Sequence, residues 1–213
     1  MSFKGSDSGM VEAVSKREAN KARKLAALED TALGLFLELG YDPASIEMVV
    51  AKAEIARGTF YLYFGGKAAL FRHVLNRLLI PVEAALLTCR DALAAARNVD
   101  EARQAYLALA ASLTQLVLGH PRVALLFYRE QRHSGEAGEW LGLWSARTDD
   151  VVTDMVRSLM ERNLLRRTDP RVVALAILGA TDRLAFAALS GNDLGDPVAL
   201  GEEVVRLFGE GLV

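Results

Sequence analysis

Arg57-Gly58-Thr59-Phe60-Tyr61-Leu62-Tyr63-Phe64, set between Glu54-Ile55-Ala56 and Gly65-Gly66, is the stretch that decides the fold of this 213-residue chain. On a helix turning about 100° per residue, Phe60 and Phe64 fall four apart on one face. That pair is the inward anchor. Gly58 and Leu62 lie farthest round from it, with Tyr61 and Tyr63 on the two flanks. An aromatic pair turned inward with phenols on both shoulders is unusual for a surface helix. Laid in a DNA major groove, such a helix would use Gly58 for close backbone approach and the tyrosine hydroxyls for phosphates along the groove walls. Arg57, at the helix start, would reach a base edge.

Working outward, Leu25, Leu28, Ala32, Leu35, Phe36 and Leu39 form one stripe of a first helix that ends at Gly40, a residue suited to the left-handed conformation just past a helix. Tyr41-Asp42-Pro43 cannot continue it. Ser45 is the expected N-cap of a short helix carrying Ile46, Val49, Val50 and Ala53, and a tight turn at Glu54-Ile55 leads into the helix from Arg57 to Phe64. Gly65-Gly66 then breaks the chain before a long helix opens at Lys67. Further breaks are predicted at Pro81, Asn98-Val99-Asp100, His120-Pro121, Ser134 to Gly138, Thr168-Asp169-Pro170 and Gly191 to Pro197. Alanine and leucine dominate and alternating β-branched runs are missing, so the fold class expected is all-α.

A formal net charge of −2 and a pI near 6.0 argue against a protein that coats nucleic acid indiscriminately. The charge is unevenly placed. Lys16, Arg17, Lys21, Arg23 and Lys24 face a single acid, Glu18, in one short stretch with a local charge of +4. The single cysteine, Cys89, cannot close an intramolecular disulfide and reads as a small buried apolar residue, which fits a reducing cytoplasm. No apolar leader is evident in the first twenty residues, and the run Val172 to Ala180 is interrupted by Asp182 and Arg183, so no membrane span is expected.

Leu28, Ala32, Phe36, Gly40-Tyr41, Ser45-Ile46, Val49, Ala53, the run Arg57 to Phe64 and Lys67-Ala68-Ala69-Leu70 together resemble the DNA-binding domain of the TetR family of bacterial transcriptional regulators. Residues 1–14, small, polar and patternless, read as a mobile arm, and the resemblance implies a three-helix DNA-binding domain over 15–67 with its helix-turn-helix at about 45–64. A larger helical ligand-binding and dimerisation domain would follow over 68–213. It implies that Arg57 to Tyr63 form the recognition helix, that Lys67, Tyr61 and Tyr63 contact phosphates, and that Lys21 and Lys24 approach the DNA backbone while Lys16 and Arg17 sit in a flexible arm. The candidate DNA contacts are therefore Lys21, Lys24, Ser45, Arg57, Gly58, Thr59, Tyr61, Leu62, Tyr63 and Lys67. The chain departs from the family at Glu54, where glycine is usual, at Ala56, where serine usually caps the recognition helix, and at Ala44, where threonine is common.

For residues 68–213 the resemblance implies a pocket enclosed by the middle helices and a homodimer formed by the last two. The apolar character of Val172 to Leu189 on nearly every face independently asks for burial from several sides. Leu175, Leu178, Phe186, Val198, Val205 and Phe208 are the expected dimer residues, with Val198, Gly201, Val204, Val205 and Phe208 as the stripe of the last helix. Phe127, Tyr128, Trp140 and Trp144 are the candidate pocket lining, which favours a hydrophobic ligand. His73, His120 and His133 are the three histidines, and no nucleophile-elbow, zinc-protease, Walker or dinucleotide fingerprint occurs, so no enzymatic role, metal or cofactor is expected. The function expected is a cytoplasmic, ligand-released repressor on a palindromic operator. The alternative, prompted by Glu54 and Ala56, is a ligand-responsive adaptor of the same fold acting on a protein partner.

Overall fold

The computed structural model describes residues 7–212, with side chains over residues 16–208. The described residues form α-helices and no strand: α1 (Asp7–Leu39), α2 (Ile46–Lys52), α3 (Arg57–Tyr61), α4 (Lys67–Ala95), α5 (Val99–Gly119), α6 (Pro121–Glu130), α7 (Glu136–Glu161), α8 (Pro170–Leu189) and α9 (Pro197–Leu212). Two compact units meet at Val74 and Leu75, inside α4 rather than at its start near residue 67. Of the arm expected over residues 1–14, residues 1–6 lie outside the described residues, whereas residues 7–14 are already helical. Lys16 and Arg17 accordingly belong to α1 and not to a flexible arm.

The first unit is built on aromatic rings. Phe36 and Tyr41 pack against Phe71 with ring centroids 5.3 and 4.8 Å apart, and Leu28, Ala32, Val49, Leu70 and Val74 complete the interior. Gly40 takes the expected positive φ, 87°, and donates its N–H to the Phe36 carbonyl. Ser45 Oγ accepts the Met48 N–H at 3.2 Å, the N-cap that starts α2. The Lys67 ammonium donates to the carbonyls of Tyr41 at 2.9 Å and Asp42 at 3.1 Å and lies 4.2 Å from the Tyr41 ring centroid, tying the start of α4 to the loop before α2. His73 Nε2 sits 2.7 Å from Glu29 Oε1, a second link from α4 back to α1.

In the second unit Asn98 caps α5 by accepting the Glu101 N–H, and Asp169 caps α8 by accepting from Arg171 and Val172. α5 and α6 meet at 99° across His120-Pro121, and Gly135, at φ 123°, precedes α7. Pro81 does not break the chain as expected. α4 runs through it because Leu78, Leu79 and Leu86 around it are buried, and their packing outweighs the one backbone hydrogen bond that proline forfeits. Cys89 belongs to a core with Leu93, Ala102, Ala105, Met155 and Leu159, and burial pushes its thiol up to about 11, which keeps it protonated and unreactive at neutral pH. Arg162 anchors this end of the unit by donating to the carbonyls of Leu93 at 2.7 Å and of Ala96. Asp182 sits partly buried on α8, where burial raises its carboxyl above the usual range while a hydrogen bond from Gln131 opposes the shift.

Three helices end in the same way. Ile55 donates to Val50, Leu164 to Leu159 and Asn192 to Ala187, each a six-to-one bond that forces a left-handed residue just before the donor. Those residues are Glu54 at φ 54°, Asn163 at φ 57° and Gly191 at φ 91°. Asparagine and glycine tolerate that conformation, whereas glutamate is strained by about 1 kcal/mol. Two residues on, Ala56 precedes α3 with no side-chain cap. Glu54→Gly and Ala56→Ser should each stabilise the protein by about 1 kcal/mol, measured by urea unfolding. In the second unit the Tyr106 hydroxyl, buried beside Cys89, has no hydrogen-bond partner among the described residues. Tyr106→Phe should therefore raise the urea midpoint, by about 1 kcal/mol of stability, because it removes an unmet polar group from the core.

Candidate nucleic-acid interface

α3 is shorter than the expected helix from Arg57 to Phe64. It ends at Tyr61, and Leu62 and Tyr63 form a turn, although Phe64 still donates to the Phe60 carbonyl at 3.0 Å and so keeps its helical position. The predicted faces hold. Phe60 is 0% exposed and Phe64 6%, with their centroids 5.7 Å apart, while Leu62 on the opposite side is 82% exposed. A Cβ built on Gly58 meets nothing within 4 Å, so the outward face of α3 is open at Gly58 and Leu62 and half open at Tyr61. Thr59 is half-buried.

The basic stretch of α1 reaches this helix through one bond. The Tyr63 hydroxyl donates to the Lys21 carbonyl at 3.4 Å, which places the backbone of Lys21 beside the end of the α3 turn. The Lys21 side chain is exposed and Lys24 is half-buried. Arg57 and Glu47 form an ion pair at 2.8 Å across the α2–α3 junction, and the Arg57 guanidinium lies 5.9 Å from the Tyr61 ring centroid. A hydrogen bond with Tyr61, and then the charge of Glu47, hold the Arg57 pKa above its ordinary value. Lys67 is turned to the Tyr41 and Asp42 carbonyls, and Ser45 to its cap. Arg57, Gly58, Tyr61 and Leu62 are accessible on and just after α3, and Lys21 is exposed on α1, whereas Ser45 and Lys67 act within the fold. Sequence inspection missed Glu47; its place in the first turn of α2 offered no periodic signal linking it to α3.

The candidate pocket residues divide. Trp140 and Trp144 line a cleft of about 170 Å³ between α4 and α7, with Asn76, Leu79, Ile80 and Glu83 on one wall and Leu143 and Arg147 on the other. Trp144 Nε1 donates to Glu83 Oε1 at 2.8 Å across its mouth. Phe127 and Tyr128 are not in the lining. They are buried behind it, with Phe127 edge-on to Trp144 at 5.4 Å and Tyr128 beside Phe186 at 6.4 Å.

The expected dimer residues divide too. Leu175 is exposed on α8 with Val172, and Val198 is exposed on α9. Leu178 instead packs inward against the cluster of Leu86, Val152 and Ala174, and Phe186 is covered by Tyr128 and by the Arg132 guanidinium at 4.8 Å. On α9 the stripe through Gly201 meets α5, since a Cβ at Gly201 would lie 3.4 Å from Thr114 Oγ1. Val205 and Phe208 on that stripe are half-buried, and Leu207 is exposed. α8 is also long and apolar enough to cross a membrane by length and composition, at a mean hydropathy of 1.8.

Residues 28–74 match the family model of bacterial regulatory proteins, tetR family. An uncharacterized HTH-type transcriptional regulator of Bacillus subtilis (strain 168), YuxN, is 40% identical over 47 residues, which span 22% of this chain and 16% of that protein. The matched segment is therefore less than a fifth of that curated relative's length. Among solved structures, NalD of Pseudomonas aeruginosa, the secondary repressor of the MexAB-OprM multidrug efflux pump, superposes with a TM-score of 0.72 at 23% identity over 91% of this chain and 98% of its own. FadR of Bacillus subtilis in complex with stearoyl-CoA gives a TM-score of 0.68 at 17% identity over 88% of this chain and 99% of its own. These likenesses bear on the fold, and the matched segment contains α2, α3 and the Phe60–Phe64 anchor. Over residues 28–74, then, the chain is similar to the bacterial regulatory proteins of the tetR family.

Proposed function

We propose that the protein is a sequence-specific, dimeric repressor that leaves a palindromic operator when a small hydrophobic molecule binds its second unit. The observation that carries this reading is the outward face of α3: an open Gly58, an 82% exposed Leu62, and Arg57 and Tyr61 accessible beside them. A core-facing helix of an ordinary globular domain has no use for that face. In a major groove Leu62 supplies apolar contact to thymine methyls, Arg57 reaches base edges, and Tyr61, Lys21 and Lys24 meet phosphates. Tyr63 and Lys67 position this surface through their bonds to the Lys21, Tyr41 and Asp42 carbonyls.

A second copy of the chain is the partner that suits α8. Val172, Leu175, Ala176 and Gly179 are exposed at helical spacing, an apolar stripe with small residues that let another helix approach. Two copies related by a two-fold axis would present two α3 helices about 34 Å apart, one turn of DNA, and so select a palindrome.

The cleft between α4 and α7 supports the ligand-responsive part. It is smaller than the roughly 300–1,000 Å³ usual for small-molecule sites. A ligand entering at Trp140 and Trp144 must therefore part α4 from α7 or displace the Trp144–Glu83 bond. Because α4 continues without interruption into the DNA-binding unit, a shift of α4 is the route by which ligand and operator would compete. FadR, solved with stearoyl-CoA, is a protein of this fold that takes a long-chain acyl ligand, which supports a hydrophobic effector here as well.

Gel shifts on DNA upstream of the protein's own gene test the first part: Arg57→Ala should weaken binding by about tenfold or more and Tyr61→Ala by less. Full-strength binding by both variants, or none by the wild type, would favour the adaptor role. For the dimer, Leu175→Asp should shift the protein toward monomer in analytical ultracentrifugation and weaken operator binding with it.

A further inference from the structure

The Arg57–Glu47 pair links two helices on the accessible surface of the first unit. Arg57 opens α3 and Glu47 stands in the first turn of α2, so the bond joins the two helices that make the DNA-reading motif. Both side chains are well exposed, 61% and 58%, and an exposed ion pair contributes little to folding. The guanidinium is also flanked by the Tyr61 ring. Held on one side by a carboxylate and on another by a phenol, Arg57 keeps further N–H donors of its planar fork for a third partner.

Resting on the DNA-binding role proposed above, we infer that Glu47 is a positioning residue that fixes the Arg57 fork for bidentate recognition of one guanine in each operator half-site. Guanine presents O6 and N7 as adjacent acceptors in the major groove, which matches two parallel guanidinium donors. Adenine places an N6 donor beside N7, and a guanidinium already aimed cannot turn away from the mismatch without breaking its bond to Glu47. An arginine held in place also loses less rotamer freedom on docking.

The charge balance points the same way. Arg57 and Glu47 sum to zero, so the pair releases little of the counterion atmosphere and is a poor phosphate contact. Its affinity must come from a base.

The test uses the full-length protein. Binding sites are first selected from a random duplex pool. Each guanine of the selected site is then replaced in turn by 7-deazaguanine, which lacks the N7 acceptor. Wild type should lose about tenfold at one guanine per half-site, and Arg57→Ala should be insensitive there. Glu47→Gln should lose most of that discrimination, bind unrelated DNA more tightly, and bind with a steeper salt dependence as the uncompensated Arg57 turns to phosphate. Its thermal melt should match the wild type's. Unchanged discrimination in Glu47→Gln would overturn the inference. So would tighter binding to every sequence with discrimination intact, which would make Glu47 a lock on Arg57 and not its guide. If wild type selects no sequence at all, the DNA-binding role fails first and this inference falls with it.

Discussion

The structure depends on the burial of two phenylalanine rings. α3 has five residues, too few to form a stable helix in water by its own hydrogen bonds. Phe60 and Phe64 hold it by turning inward beside each other, and Phe64 also meets His73 on α4 at 5.2 Å. Because all the anchoring falls on one side, the other side is left free of structural duty. Gly58 and Leu62 can occupy it without a packing role, and a leucine can stand in solvent where a folded domain alone would place a polar residue.

How much of this was legible follows from which forces are local. The four-residue spacing of Phe60 and Phe64, the left-handed Gly40 and the Ser45 cap are short-range features, and each stands where the sequence puts it. Glu54 and Ala56 were equally visible as departures, and the backbone accepts both: a positive φ at one and an uncapped helix start at the other. Features decided by distant packing were not legible. Pro81 is a breaker by local rules, yet it lies inside α4 because buried leucines on either side carry the helix across it. Trp140 and Trp144 share a cleft, but which helix faces them is a tertiary fact, so no local pattern points to Glu83 and Ile80 or sets Phe127 and Tyr128 outside its lining. The α9 stripe is free for a partner by its local pattern, whereas in the fold Gly201 on it meets α5.

Both units anchor backbone with distant polar side chains, Arg162 in the second as Lys67 and Tyr63 in the first, but they differ in what else they bury. In the first, polar side chains bond to backbone across the chain, as Lys67 does to Tyr41 and Asp42 and Tyr63 to Lys21, so that each fixes a surface residue relative to the core. In the second, several polar groups sit within apolar surroundings with less compensation. Tyr106 has an unmet hydroxyl, and Asp182 lies on an apolar helix where burial opposes its ionisation. Such sites cost stability.

The exposed stripe of α8 has a consequence beyond geometry. Val172 and Leu175 leave apolar surface in water in the isolated chain, and anything that covers them binds the folded form in preference to the unfolded one. A second copy seated there, as proposed above, would make the stability of the folded chain rise with its concentration.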